Sequence, residues 1–122
     1  LILVKPKHFP HDDATAFASG ATDILAQAKV TSCLNEALWG IQHVVGVSAR
    51  LRDVPLPCVT PREFVQSGGV NQDLTIGILF GNEQSGLSNN DLAHCHQQIR
   101  IPTAKDYGSL NLAQAVQVIC YE

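Results

Sequence analysis

Apolar residues come in short blocks along this chain, and the spacing between them alternates between two periods. Leu1–Val4, Lys29–Thr31, His43–Ser48, Thr75–Phe80 and Gln98–Ile101 are strand-length runs bounded by Gly, Pro, Ser or Asp. Leu1–Val4, His43–Ser48 and Thr75–Phe80 are apolar enough to predict strands buried on both faces, the last most clearly. Helical spacing fills the gaps. Asp12 or Asp13 caps a helix through Ala18 that Gly20 closes, and a further helical turn covers Asp23–Ala28. Ser32 caps Cys33–Trp39, with Gly40 as its stop. After the proline-bearing loop Arg50–Val59, Thr60-Pro61-Arg62-Glu63 combines a Thr cap, Pro in the first turn and Glu three residues past the cap. Ser88-Asn89-Asn90-Asp91 opens a helix to Cys95. Ser109 caps a final one whose Leu112, Ala115, Val116, Ile119 and Cys120 share a face. Strands alternating with helices predict an α/β fold with a mostly parallel sheet flanked by helices. Ligands in such sheets sit beyond the carboxyl ends of the strands. That directs attention to the loops Ser48–Arg52, Gly81–Ser88 and Pro102–Ser109.

Composition narrows the picture. A chain of 122 residues is sized for a single domain with one core. Apolar residues at 45% and charged ones at 16% exclude a disordered charged tail and a coiled coil. The formal charge of −3 gives no global attraction to nucleic acid, though Arg50, Arg52 and Arg62 could form a local basic patch; a solvated loop explains them equally well. No signal peptide opens the chain and no run is long enough to span a membrane, so the cytoplasm is expected. The chain has no Met, opens on Leu1 and stops at Glu122 inside a helical pattern, so flanking segments are expected beyond both ends.

The cysteines Cys33, Cys58, Cys95 and Cys120 form no Cys-x-x-Cys pair, which argues against structural zinc or a redox motif. His94-Cys95-His96 looks like a ligand set, but adjacent residues on a helix diverge by about 100°. It is read as a helix end, and no metal is expected. Trp39, Phe9, Phe17 and Phe64 are assigned to the core, while Tyr107 suits either the core or the loop before the last helix.

Gly81-Asn82-Glu83-Gln84-Ser85-Gly86-Leu87-Ser88 has the two glycines and the Ser of a phosphate-binding loop, between a strand and a helix. Leu87, however, stands where that loop needs its Lys, and Glu83 adds a carboxylate. A polyphosphate is poorly served there; a neutral or positively charged cofactor fits better, and a ligand-free connection is an equal alternative. Ser109-Leu110-Asn111 adds polar groups at a helix start suited to a small polar ligand.

Together these residues resemble the SPOUT class of RNA methyltransferases, in its SpoU branch. The family's second motif resembles Ile78-Leu79-Phe80-Gly81-Asn82-Glu83 with Ser85-Gly86-Leu87-Ser88. Its third resembles Ile101-Pro102-Thr103 with Ser109-Leu110-Asn111-Leu112-Ala113, continuing to Tyr121-Glu122. Leu3-Val4-Lys5-Pro6-Lys7-His8-Phe9-Pro10-His11, Ser48-Ala49-Arg50-x-Arg52 and Pro61-Arg62-Glu63 are similar to the subgroup that methylates tRNA cytidine or uridine at anticodon-loop position 32.

The resemblance implies a C-terminal deep trefoil knot, the SPOUT fold, holding a bent S-adenosylmethionine. Val47, Ser48, Ala49, Gly81, Ile101, Gly108, Ser109 and Leu110 would bind that cofactor. Ser109 and Asn111 would place a ribose 2′-hydroxyl, and Glu83 would organise the loop network. Arg50 and Arg52 would contact RNA phosphates. The resemblance also implies tRNA as partner and a homodimer with the last helix in its interface. By the same comparison, residues 1–122 form one methyltransferase domain whose first motif, with its Asn and its catalytic Arg, precedes Leu1. The subgroup's carboxyl-terminal extension would follow Glu122. Val47 stands where the subgroup often has Thr. The alternatives are a dimeric module that binds cofactor or RNA without turnover and, more distantly, a P-loop-like nucleotide hydrolase.

Overall fold

The computed structural model describes residues 1–50 and 54–122. The chain divides into two compact units, Leu1–Trp39 and Gly40–Glu122.

The first unit runs β1 (Ile2–Val4), α1 (Asp12–Phe17), α2 (Thr22–Ala26), β2 (Lys29–Thr31) and α3 (Leu34–Ala37). β1 and β2 pair in parallel with Leu3 opposite Val30. Parallel pairing requires a crossover, which α1 and α2 supply. The cap of α1 is His11 rather than either Asp, because its Nδ1 accepts the Asp13 N–H at 3.1 Å. Asp12 and Asp13 fall instead in the first turn, where the helix dipole favours negative charge. Cys33 occupies the cap position of α3 without a side-chain bond, while Ser32 binds the Glu36 carboxylate through its N–H and its hydroxyl.

Three further expectations fail in this unit. Ile2 and Val4 are 41% and 40% exposed, so β1 is not a buried strand. With two strands and α3 packed on them, this unit has too few layers to cover both faces. Phe17 and Trp39 are 87% and 90% exposed rather than in the core. Phe17 ends α1 and Trp39 follows α3, and elements this short cover little beyond their own middle residues.

The second unit runs β3 (His43–Val47), β4 (Cys58–Val59), α4 (Pro61–Gln66), β5 (Ile76–Phe80), α5 (Asn89–Leu92), β6 (Gln97–Ile99) and α6 (Leu112–Tyr121). The sheet order is β4-β6-β3-β5 and every pairing is parallel. β3 is central, and Val44, Val45 and Gly46 are buried as expected. β5 lies at the edge, so it is half-buried rather than the most buried strand, and Ile78 is exposed. β4 lies within the loop read as Arg50–Val59; two residues are too few for any period to register.

Successive residues of a strand face opposite sides of the sheet. Val45 packs with Phe64 of α4 and Ile99 of β6, joined by Val47, Val59, Ile76 and Ile119 of α6. The other face belongs to Gly46: a Cβ there would come within 2.9 Å of Leu92, 3.0 Å of the Cys95 thiol and 3.2 Å of Leu87. Thus α4 and α6 cover one face and α5 the other. The capping residues explain where two of these helices begin. Thr60 and Glu63 form a reciprocal capping box, and Ser88 and Asp91 form a second. Helix α5 stops at Leu92, short of Cys95, and α6 is capped by Asn111 rather than Ser109.

Candidate functional site

The chain leaves the carboxyl ends of β3, β5 and β6 in three segments that line one cleft of about 370 Å³. From β5 it turns to α5 on one face of the sheet, while from β3 and β6 it passes to α4 and α6 on the other. Neighbouring strands whose connections part in this way open a crevice at their carboxyl ends. Val47, Ser48, Ala49 and Arg50 line it from β3, and Gly81 with the loop to Gly86 from β5. Ile101, Thr103, Gly108, Ser109 and Leu110 follow β6, and Leu112 and Ala115 add one side of α6.

Every residue expected to bind the cofactor therefore borders this cleft: Val47, Ser48, Ala49, Gly81, Ile101, Gly108, Ser109 and Leu110. Glu83 and Arg50 border it too. Arg52 lies outside the described residues. Asn111 is not among the lining residues; its Oδ1 accepts the Ala113 N–H at 2.9 Å as the cap of α6. Ser109, expected both to cap the helix and to meet the ligand, is not the cap. Asn111 caps the helix, and the Ser109 hydroxyl has no hydrogen-bond partner among the described residues, which leaves it available to a ligand.

Each segment is held from behind. The Ser48 Oγ and the Arg50 backbone exchange hydrogen bonds of 3.3 Å, and Gln98 Nε2 donates to the Arg50 carbonyl at 3.2 Å. Gln98 is buried, so its amide fixes this turn from inside the sheet. Gly81 is obligatory: a Cβ there would collide with the backbone of Gly86 and Leu87. Gly86 turns the loop at φ +67°, in the left-handed region that glycine tolerates. Leu87 then enters the core at 4% exposure, beside Gly46.

The loop network is not organised as expected. Glu83 is exposed and its carboxylate makes no hydrogen bond or ion pair among the described residues. The carboxamide of Asn82 gathers the loop instead. Phe80, Asn82, Gln84, Ser85, Gly86, Thr103, Leu112 and Ala115 line the cleft without having been named as site residues from the sequence. The Asn82 signal was present in the Asn-x-x-Ser spacing, which suits a side chain that bonds the backbone two and three residues on. Among the described residues the charged side chains lining the cleft are one cation, Arg50, and one anion, Glu83. That near-neutral lining suits a cofactor without polyphosphate.

The His94-Cys95-His96 cluster is dispersed. His94 Nδ1 lies 2.8 Å from the Asn90 carbonyl. His96 Nδ1 accepts the Val44 N–H at 2.9 Å and its ring stacks on His43. Cys95 is buried, and that burial, with the Asp91 charge as a smaller cause, pushes its thiol up to about 11. Among the described residues no three His, Cys, Asp or Glu side chains gather as a metal site, and no helix is long and apolar enough to cross a membrane.

A parallel sheet with a cleft beyond the carboxyl ends of its strands defines an α/β protein with a ligand-sized site, and comparison with known proteins gives the family. The SpoU rRNA Methylase family model matches residues 1–121, and the chain belongs to that family. It is 47% identical over 124 residues to the tRNA (cytidine/uridine/adenosine-2′-O-)-methyltransferase TrmJ of Pseudomonas aeruginosa (strain UCBPP-PA14), matching 100% of this chain and 48% of that protein. It is 45% identical to the tRNA (cytidine/uridine-2′-O-)-methyltransferase TrmJ of Sodalis glossinidius (strain morsitans), again over 100% and 48%. The crystal structure of TrmJ from Z. mobilis ZM4 superposes with a TM-score of 0.91 at 38% identity, covering 99% of this chain and 54% of that one. The chain thus spans about half the length of the curated relatives it matches.

Proposed function

We propose that the chain carries the cofactor-binding and methyl-transferring part of an S-adenosylmethionine-dependent tRNA 2′-O-methyltransferase. The pyrimidine at anticodon-loop position 32 is the target. The observation that carries this reading is the convergence of Val47–Arg50, Gly81–Gly86 and Gly108–Leu110 on one cleft with little net charge. The family membership supports it, as do relatives named as tRNA 2′-O-methyltransferases.

S-adenosylmethionine supplies an activated sulfonium methyl when bound. The chain's own residues then need only align a ribose 2′-hydroxyl and remove water from around it. The Ser109 hydroxyl, unused by helix capping, is suited to hold the ribose oxygen. Glu83, free of protein partners among the described residues, is suited to the cofactor's cationic groups or to a proton leaving the ribose. Arg50, on a backbone fixed by Ser48 and Gln98, would hold an RNA phosphate. In this reading both compact units belong to one methyltransferase domain, and the carboxyl-terminal segments form a trefoil knot around the cofactor. The working form is a cytoplasmic homodimer with α6 in its interface.

The test is methyl transfer by the full-length protein that carries this chain, from labelled S-adenosylmethionine to a tRNA transcript, beside one with a 2′-deoxynucleotide at position 32. Incorporation into the first and none into the second is the expected result. Equal incorporation into both would contradict the ribose target. Cofactor binding with no incorporation into either would favour the module without turnover.

A further inference from the structure

One side chain, that of Asn82, gathers the Gly81–Ser88 loop. Asn82 Oδ1 accepts three hydrogen bonds: from the Ser85 N–H at 2.7 Å, the Gln84 N–H at 3.0 Å and the Ser85 hydroxyl at 3.0 Å. The Asn82 carbonyl also accepts the Gly86 N–H at 3.0 Å, and the two residues form an isolated antiparallel bridge. One residue therefore closes the loop through both its backbone and its side chain. The residues it gathers, Gln84, Ser85 and Gly86, line the cleft together with Glu83.

These residues are exposed, so they bury little against the core. A ligand meeting an unordered loop must order it on binding, and that entropy subtracts from affinity. A loop already closed avoids the loss. Resting on the methyltransferase reading, we infer that Asn82 is a positioning residue. Its Oδ1 holds the Gly81–Gly86 wall in the shape that receives the cofactor and fixes the backbone on which Glu83 is presented. The hold is a property of the oxygen alone, since the Nδ2 amide makes no hydrogen bond among the described residues. Aspartate can therefore replace Asn82 in this role and alanine cannot.

The experiment compares the unaltered protein with Asn82→Ala and Asn82→Asp. It measures S-adenosylhomocysteine affinity by calorimetry, amide hydrogen exchange at Gln84 and Ser85, and the thermal unfolding midpoint. The expected result for Asn82→Ala is affinity weakened about tenfold or more, with faster exchange at both amides and an unchanged midpoint. Asn82→Asp should keep both the affinity and the slow exchange. Wild-type affinity in Asn82→Ala would overturn the inference. So would an Asn82→Asp variant as weak as Asn82→Ala, since that would make the Nδ2 amide a direct ligand. An unaltered protein that binds no S-adenosylhomocysteine would overturn the functional reading and the cofactor role with it. Slow exchange at Ser85 that Asn82→Ala abolishes would then still identify the loop hold itself.

Discussion

Leu87 stands where a phosphate-binding loop would carry its lysine, and its burial beside Gly46 explains the exchange. A lysine there would have to place its ammonium among Leu92, Cys95 and the sheet, at a desolvation cost. The same burial sets the chemistry of Cys95. Its thiol, raised to about 11, stays protonated through the neutral range, while Cys33, Cys58 and Cys120 are exposed. A thiol reagent at pH 8 should modify Cys33 and Cys58 in the folded protein and reach Cys95 only after unfolding, as mass spectrometry of the labelled peptides would record. Labelling of Cys95 at the same rate would contradict its buried placement. At Ser109 and Asn111, sequence legibility has a physical limit. Both are good cap residues, so composition alone does not say which one the helix uses. The backbone decides it, by bringing the Ala113 N–H to Asn111 Oδ1, and Ser109 is thereby left to the cleft. Ser109→Ala should lower methyl transfer to tRNA while changing the unfolding free energy by no more than about 0.5 kcal/mol. Full transfer by this variant would remove the hydroxyl from the mechanism.

Helix starts with reciprocal caps were legible because the two bonds need specific side chains at a fixed spacing. Thr60 with Glu63 is one case. Ser88 followed three residues on by Asp91 is another. The Thr60 backbone N–H, and after it the Thr60 hydroxyl, hold the Glu63 carboxyl below the usual range. Its contribution to stability is therefore fully present above the unfolded carboxyl value of about 4.3 and is lost as pH falls through the lower folded value. The urea midpoint should drop between pH 5 and pH 3, and Glu63→Gln should flatten that part of the profile; an unchanged profile would contradict the cap's role. The core under this helix is the larger element. Phe64 is buried with Val45 and Ile99, so Phe64→Ala should cost about 3–5 kcal/mol in denaturant unfolding. Less legible were elements defined by partners rather than by their own pattern. β4 exists because Cys58 and Val59 find Gln98 and Ile99, and two residues carry no period of their own. β1 and β5 read as buried runs, yet their burial depends on how many strands and helices surround them. Phe17 and Trp39 failed as core predictions for the same reason.

The parallel sheet and the three loops at its carboxyl end follow from the alternation of strands and helices. The cleft follows from the sheet order, which puts β3 between β5 and β6 and brings their loops together. That order is a tertiary fact; no local pattern states which strand is central. The resemblance of two motifs to the SpoU methyltransferases supplied what local patterns could not, and the family membership bears it out. The central claim is that this cleft receives S-adenosylmethionine, and calorimetric titration with S-adenosylhomocysteine, with ATP as the control ligand, tests it most directly. The account predicts that S-adenosylhomocysteine binds with one site per chain and ATP does not, and that Gly81→Ala abolishes the binding by forcing Gly86 and Leu87 out of place. Binding of ATP alone, or of neither ligand, would contradict it.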